Sequence, residues 1–192
     1  MQPELQIVQD GTTSCRYRSI DSRMQEKILN SSEIVMGLNW DPSGGCIADA
    51  ADLDALCFLF DAHGRVLDVV HPGHRQNVNG SVLHTGDAVS GASAWDDERV
   101  FVFLEALPDT VAALGFVVVS ASGHSFEEVR GASCHLSDHV TDDVYVRVDL
   151  QAVDSQNATW IGTLRRHGNV WEFRPGPLPG GSDNSRSGSE QH

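Results

Sequence analysis

Carboxylates carry most of the chemical information in this chain, because they gather where apolar runs begin and end. Asp52 and Asp54 open the apolar run 53–60, Asp87 follows the segment 81–86, and Asp96, Asp97 and Glu98 precede the run 99–104. On an extended strand Asp52 and Asp54 project from the same side, roughly 6.5–7 Å apart. Two carboxylates that close repel, and each resists ionising unless a cation stands nearby. Hard cations such as calcium take six to eight oxygens, mixing carboxylates with backbone carbonyls. The small residues around Gly86 and Gly91 allow loops to bend carbonyls toward such an ion. The spacing is not that of an EF-hand, because no D-x-D-x-[DN]-G run ends in a glutamate at the twelfth position. The plainer reading, charges solvated where a strand leaves the core, also fits these residues.

Other reactive side chains form weaker patterns. His135 and His139 lie four apart beside Cys134, which suggests zinc. On a strand they stand about 13 Å apart, too far for one ion unless the segment turns. His84, near Thr85 and Asp87, has the makings of an acid–base group, with Ser81 or Ser120 as nucleophile. No nucleophile elbow or phosphate loop surrounds them, and Gly44-Gly45 alone is not a nucleotide signature. The residues therefore point away from an enzyme.

The 192 residues suffice for one well-packed domain with a tail. A net charge of −14 repels nucleic acid and anionic membrane surfaces, and is compatible with metal cations or basic proteins. The amino terminus has no basic flank followed by an apolar stretch, so no secretory signal is expected. No segment reaches the roughly 20 apolar residues of a membrane span. The expectation is a cytoplasmic protein with no membrane insertion. Its four cysteines, Cys15, Cys46, Cys57 and Cys134, are scattered without a Cys-x-x-Cys pair and read as free thiols.

The elements that must position the carboxylates are strands. The run 52–60 is short, apolar and closed by a Gly-bearing turn, so it reads as a strand buried on both faces. After Gly64, residues 65–71 return as the second arm of a hairpin. Further strands are expected at 4–9, 33–40, 81–84, 99–104, 115–120, 132–136 and 144–150, with a closing hairpin of 159–164 and 170–173. A helical turn is readable at 23–29, a capped helical turn at 108–111, and a short helix at 125–129, where Ser125 and Glu128 form a capping-box pattern. Many short strands separated by turn signals predict an all-β chain, a two-layer β-sandwich with one or two short helices. Residues 1–31 read as an atypical N-terminal segment (first strand plus linker), 32–174 as the sandwich, and 175–192 as a disordered tail.

Five pieces in order carry a resemblance: Gly37-Leu38-Asn39-Trp40-Asp41, Asp52-Leu53-Asp54-Ala55, Asp61-Ala62-His63-Gly64, the segment 80–87, and Asp96-Asp97-Glu98. Ile161-Gly162-Thr163-Leu164-Arg165-Arg166 leading to Trp171-Glu172-Phe173 completes it. Across roughly 32–174 the chain resembles the TerD family of bacterial tellurium-resistance and stress-response proteins. The resemblance implies a calcium-binding, non-enzymatic β-sandwich of a tellurite or chemical-stress resistance system, with other stress-response proteins as partners. It implies Asp52, Asp54, Asp96, Asp97 and Glu98 as metal ligands, with Asp87 a further candidate.

The chain also departs from the family pattern. Leu56 stands where a small hydroxyl residue is common. The segment 121–125 lacks the usual His-Asp pair, and Pro72-Gly73-His74-Arg75 replaces an aromatic and amide pattern. Losing acidic or amide ligands weakens an ion site. The alternative is accordingly an acidic protein-interaction adaptor of the same fold that has lost ion binding.

Overall fold

The computed structural model describes residues 27–42, 51–88, 96–153 and 156–176. The expected strand at 4–9 and most of the tail at 175–192 lie outside the described residues. Eleven strands are described: β1 (Lys27–Leu29), β2 (Glu33–Asn39), β3 (Leu53–Phe60), β4 (Val66–Val70), β5 (Val82–His84), β6 (Glu98–Phe103), β7 (Ala113–Ser120), β8 (Ser133–Asp138), β9 (Val144–Asp149), β10 (Ala158–His167) and β11 (Val170–Pro175). They form two antiparallel sheets, β1-β11-β10-β7-β3-β4 and β5-β6-β2-β8-β9. This is the expected two-layer β-sandwich.

The period-two alternation of the strands explains the layering. On β3, Leu53, Ala55, Cys57 and Leu59 face the core and are at most 2% exposed. Phe116 and Leu114 from β7 join them, opposed by Met36, Leu38 and Leu136 of the other sheet. Each large apolar side chain so buried contributes about 1.5–3 kcal/mol. The outer face of β3 is covered too. Leu56 and Phe60 are buried, and Phe58, Phe60 and Trp160 form an aromatic cluster with centroids 5.9–6.4 Å apart. A continuous apolar run therefore reads correctly as a strand buried on both faces.

The hairpins fall where their turns signalled them. β3 pairs with β4 across Gly64, β8 with β9 across the acidic turn, and β10 with β11 across Gly168. The capping box at Ser125 and Glu128 starts a single 3-10 turn over Phe126–Glu128. Two expectations need correction. Residues 27–29 are not helical but a strand, because Lys27–Leu29 finds the open edge of β11 and buries Leu29 there. Residues 108–111 close a hydrogen-bonded turn, Val111 N–H to Pro108 O at 2.9 Å, while the 3-10 turn lies earlier at Leu104–Ala106.

Candidate metal centre

Three chain segments meet at one end of the sandwich. Asp52 sits just before β3. Its carbonyl accepts from the Ala121 N–H at 2.9 Å, and its own N–H donates to Ser122 Oγ at 3.1 Å. Trp40 Nε1 donates to the Ala51 carbonyl at 3.1 Å, tying the approach to Asp52 to the end of β2. Asp54 follows as the second residue of β3, directly opposite Val119 on β7. Asp87 arrives from β5 through Gly86, whose φ of 112° is a conformation that glycine alone adopts without strain.

Asp52, Asp54 and Asp87 each offer a carboxylate oxygen, and these atoms all lie within 4.8 Å of one another. Among the described residues no lysine or arginine forms an ion pair with any of the three. Burial pushes the Asp52 carboxyl above its ordinary range, reinforced by the charges of Asp87 and Glu98. Asp54 is pushed up to about 7 by burial first, then by Glu98, Asp52 and Asp87, with His84 partly offsetting. Asp52 Oδ1 is buried and has no hydrogen-bond partner among the described residues.

That donor set fits calcium. Oxygens at 2.3–2.6 Å from an ion lie up to about 5 Å apart, and hard oxygens with an unsatisfied buried acceptor are what such a cation seeks. Up to six oxygens are available if all three carboxylates engage twice, and water or carbonyls complete the shell.

Glu98 braces this end from beneath. It is fully buried, and its Oε2 accepts the Ala55 N–H at 2.9 Å and lies 3.3 Å from His84 Nε2. Its Oε1 accepts the Ala88 N–H at 3.3 Å. His84 Nδ1 accepts from the Gly86 N–H, which leaves Nε2 to carry the proton toward Glu98 and the Ala55 carbonyl, 3.1 Å away. One carboxylate and one imidazole thus clamp the start of β3 to the segment bearing Asp87. Protein contacts thus occupy both nitrogens of the ring.

Asp96 and Asp97 are held elsewhere. Asp96 accepts from Asn39 Nδ2 at 2.7 Å and Arg99 Nε at 3.0 Å, and lies 3.2 Å from His135 Nε2. Burial alone raises such a carboxyl, but His135, Asn39 and Arg99 outweigh it and hold Asp96 at about 2. The cluster crosses β2 at Gly37, where a Cβ would lie 2.2 Å from His135 Nε2 and 2.6 Å from the Asp96 carboxyl. Asp97 Oδ2 accepts the Trp40 N–H at 3.0 Å.

Of the six carboxylates singled out in the sequence, the fold thus converges Asp52, Asp54 and Asp87. It sets Glu98 beneath them and gives Asp96 and Asp97 protein donors. His139 stacks edge-on against Phe101 at 5.0 Å, apart from the His135 contact with Asp96, so the two histidines share no site. Sequence reasoning missed Ser122, whose hydroxyl holds the Asp52 backbone and lies 2.8 Å from His124 Nδ1.

Fold and site together define an antiparallel β-sandwich with an acidic cradle between strand ends. A family profile described as TerD domain matches residues 20–176. The tellurium resistance protein TerZ of Serratia marcescens is 35% identical over 150 residues, which are 74% of this chain and 77% of that protein. General stress protein 16U of Bacillus subtilis (strain 168) is 33% identical over 150 residues, 74% of this chain and 78% of that protein. The crystal structure of SAV2460, a protein of unknown function, superposes with a TM-score of 0.68 at 25% identity, covering 77% of this chain and 89% of that one. The structure of SCO6318 from Streptomyces coelicolor A3(2), a homologue of a telluride resistance protein, gives 0.67 at 21% identity over 80% of this chain and 93% of that one, and supports the fold. The chain belongs to the TerD family of tellurium-resistance and stress-response proteins. Among the described residues no helix is long and apolar enough to cross a membrane.

Proposed function

We propose that this chain is a calcium-binding, non-enzymatic module serving a tellurite or chemical-stress resistance system, with Asp52, Asp54 and Asp87 holding the ion. The observation that carries the reading is the convergence of three carboxylates that, among the described residues, have no lysine or arginine ion pair, one of them bearing a buried oxygen with no hydrogen-bond partner among those residues. Bound calcium would offset the burial, and with it the repulsion, that push Asp54 upward. Ser122 and Trp40 hold the backbone around Asp52, and the Glu98–His84 clamp fixes the separation of β3 from the Asp87 segment. These residues orient ligands rather than transform a substrate. The resistance role rests on the names of the relatives, and other stress-response proteins are the natural partners of such a module.

A second reading, an acidic adaptor of the same fold without an ion, draws on one observation. A carboxyl that titrates near 7 relieves the repulsion by keeping its own proton. Thermal melts in chelator, in millimolar calcium and in millimolar magnesium decide between them. A calcium-selective rise in the midpoint supports the ion site, and identical melts in all three sink it.

A further inference from the structure

The turn His71-Pro72-Gly73-His74 overlaps the stretch Pro72-Gly73-His74-Arg75 that departs from the family pattern, and it carries two histidines rather than the oxygen ligands of calcium chemistry. The two histidines exchange backbone hydrogen bonds across the turn, His71 N–H to His74 O at 3.1 Å and His74 N–H to His71 O at 2.9 Å. Residues so paired have Cα atoms about 5.5 Å apart and side chains on one face. Their ring centroids are 6.2 Å apart. With metal–nitrogen bonds of about 2.0–2.1 Å, two imidazoles on one ion place their centroids about 5–6 Å apart, close to the separation seen here.

The nitrogens are already sorted. His74 Nε2 lies 3.2 Å from Asp68 Oδ1 on β4, so its N–H donates to the carboxylate and Nδ1 keeps its lone pair. His71 Nδ1 accepts from the Gly73 N–H at 3.2 Å, so its lone pair also sits on Nδ1. Gly73 leaves room for this ring, because a Cβ there would meet His71 Cε1 at 3.1 Å. A carboxylate behind a histidine is the recurrent device for fixing the tautomer of a metal ligand.

We propose that His71 and His74 bind a borderline divalent transition-metal ion of the zinc class through their Nδ1 atoms, with Asp68 positioning His74. Water or a second ligand fills the remaining coordination positions, and the Gly73 N–H contact is what the ion displaces. Imidazole donors select such ions over calcium, so this site and the carboxylate cradle are chemically separate.

The test is titration of the full chain with zinc under excess calcium, which keeps the carboxylates occupied, with cobalt as a spectroscopic probe. The expected result is one zinc site whose affinity falls at least 10-fold in H71A and in H74A, with the cobalt ligand-field bands lost in the double variant. Asp68→Asn should weaken zinc about 10- to 100-fold, Asp68→Glu should restore part of it, and the metal-free melting midpoint of both should match the parent. The calcium-dependent rise in midpoint should persist in H71A/H74A, which keeps this proposal separable from the calcium reading. Zinc affinity unchanged in H71A/H74A, or no zinc bound by the parent, overturns the site. Zinc affinity unchanged in Asp68→Asn overturns the role of Asp68.

Discussion

Two acidic groups at the same end of the sandwich meet opposite fates. Asp52, Asp54 and Asp87 face one another with no lysine or arginine ion pair among the described residues, and burial drives the first two upward. Asp96, nine residues beyond Asp87, is surrounded by His135, Asn39 and Arg99 and held at about 2. Both sets are partly buried, so burial does not separate them. The difference is who answers the charge. Donors supplied by the protein favour the ionised carboxylate, whereas like charges left facing each other, together with burial, favour the protonated one.

The contrast breaks most severely at Glu98, which belongs to neither group. Glu98→Ala strands the N–H groups of Ala55 and Ala88, leaves His84 Nε2–H only the Ala55 carbonyl, and should cost about 3–5 kcal/mol in urea denaturation. A loss under 1 kcal/mol would show that the clamp does not brace the sandwich.

Calcium at about 100 times its dissociation constant should stabilise the parent by about 2.7 kcal/mol, a rise of roughly 5–10 °C in the midpoint. Asp52→Asn with Asp54→Asn should remove that rise, while the metal-free variant is no less stable than the parent because a repulsion has gone. A full calcium response in this double variant would falsify the cradle as the ion site.

Asp96→Asn should behave in the opposite way. It removes charge-assisted hydrogen bonds and should cost about 1–3 kcal/mol, yet the calcium-dependent increment should survive. Loss of the increment in this variant would return Asp96 to the ligand set.

The smallest expected effect is on pH. The folded Asp54 carboxyl titrates near 7 against about 3.9 in an unfolded chain, so the folded state holds the extra proton between those values. This group therefore makes the metal-free protein less stable as pH rises from about 4 to about 7, and adds no further change above that. Asp96 has the reverse sign, stabilising above about pH 4 and losing that contribution as pH falls toward 2. Asp54 is only half-buried, so solvent screening keeps its slope shallow. Melts of the parent and Asp54→Asn in chelator at pH 5 and 7.5 measure it, and the variant should lose that slope. Calcium affinity should weaken below pH 7, where the proton competes.

The layers were legible because apolar runs and turn residues are local signals. Residues 53–60 and 99–103 announce buried strands, Gly64 and Gly168 announce hairpins, and Ser125 with Glu128 announces a cap. The short strand at Lys27–Leu29 was not legible, since its extended form comes from pairing with β11, far away in sequence. The same limit applies to the site. That carboxylates cluster at strand ends is visible in the chain, but which of them converge depends on register. His84 opposite Val100 and Leu53 opposite Ser120 decide it, and neither pairing has a local signature. Glu98 reads as one more surface acid until the sheets close over it. The role of Gly37 is equally silent in sequence, because it consists of the space left for Asp96 and His135 to meet.

The clamp joining Ala55, His84, Glu98 and Ala88 has a kinetic consequence. It links β3 of one sheet to β5 and β6 of the other, so it forms only after contacts distant along the chain have closed. Interactions that form after the folding transition state act mainly on the rate of escape from the native state, so Glu98→Ala should speed unfolding in stopped-flow denaturation more than it slows folding. An ion seated above the clamp would therefore lengthen the lifetime of the folded molecule while leaving the speed of folding nearly unchanged.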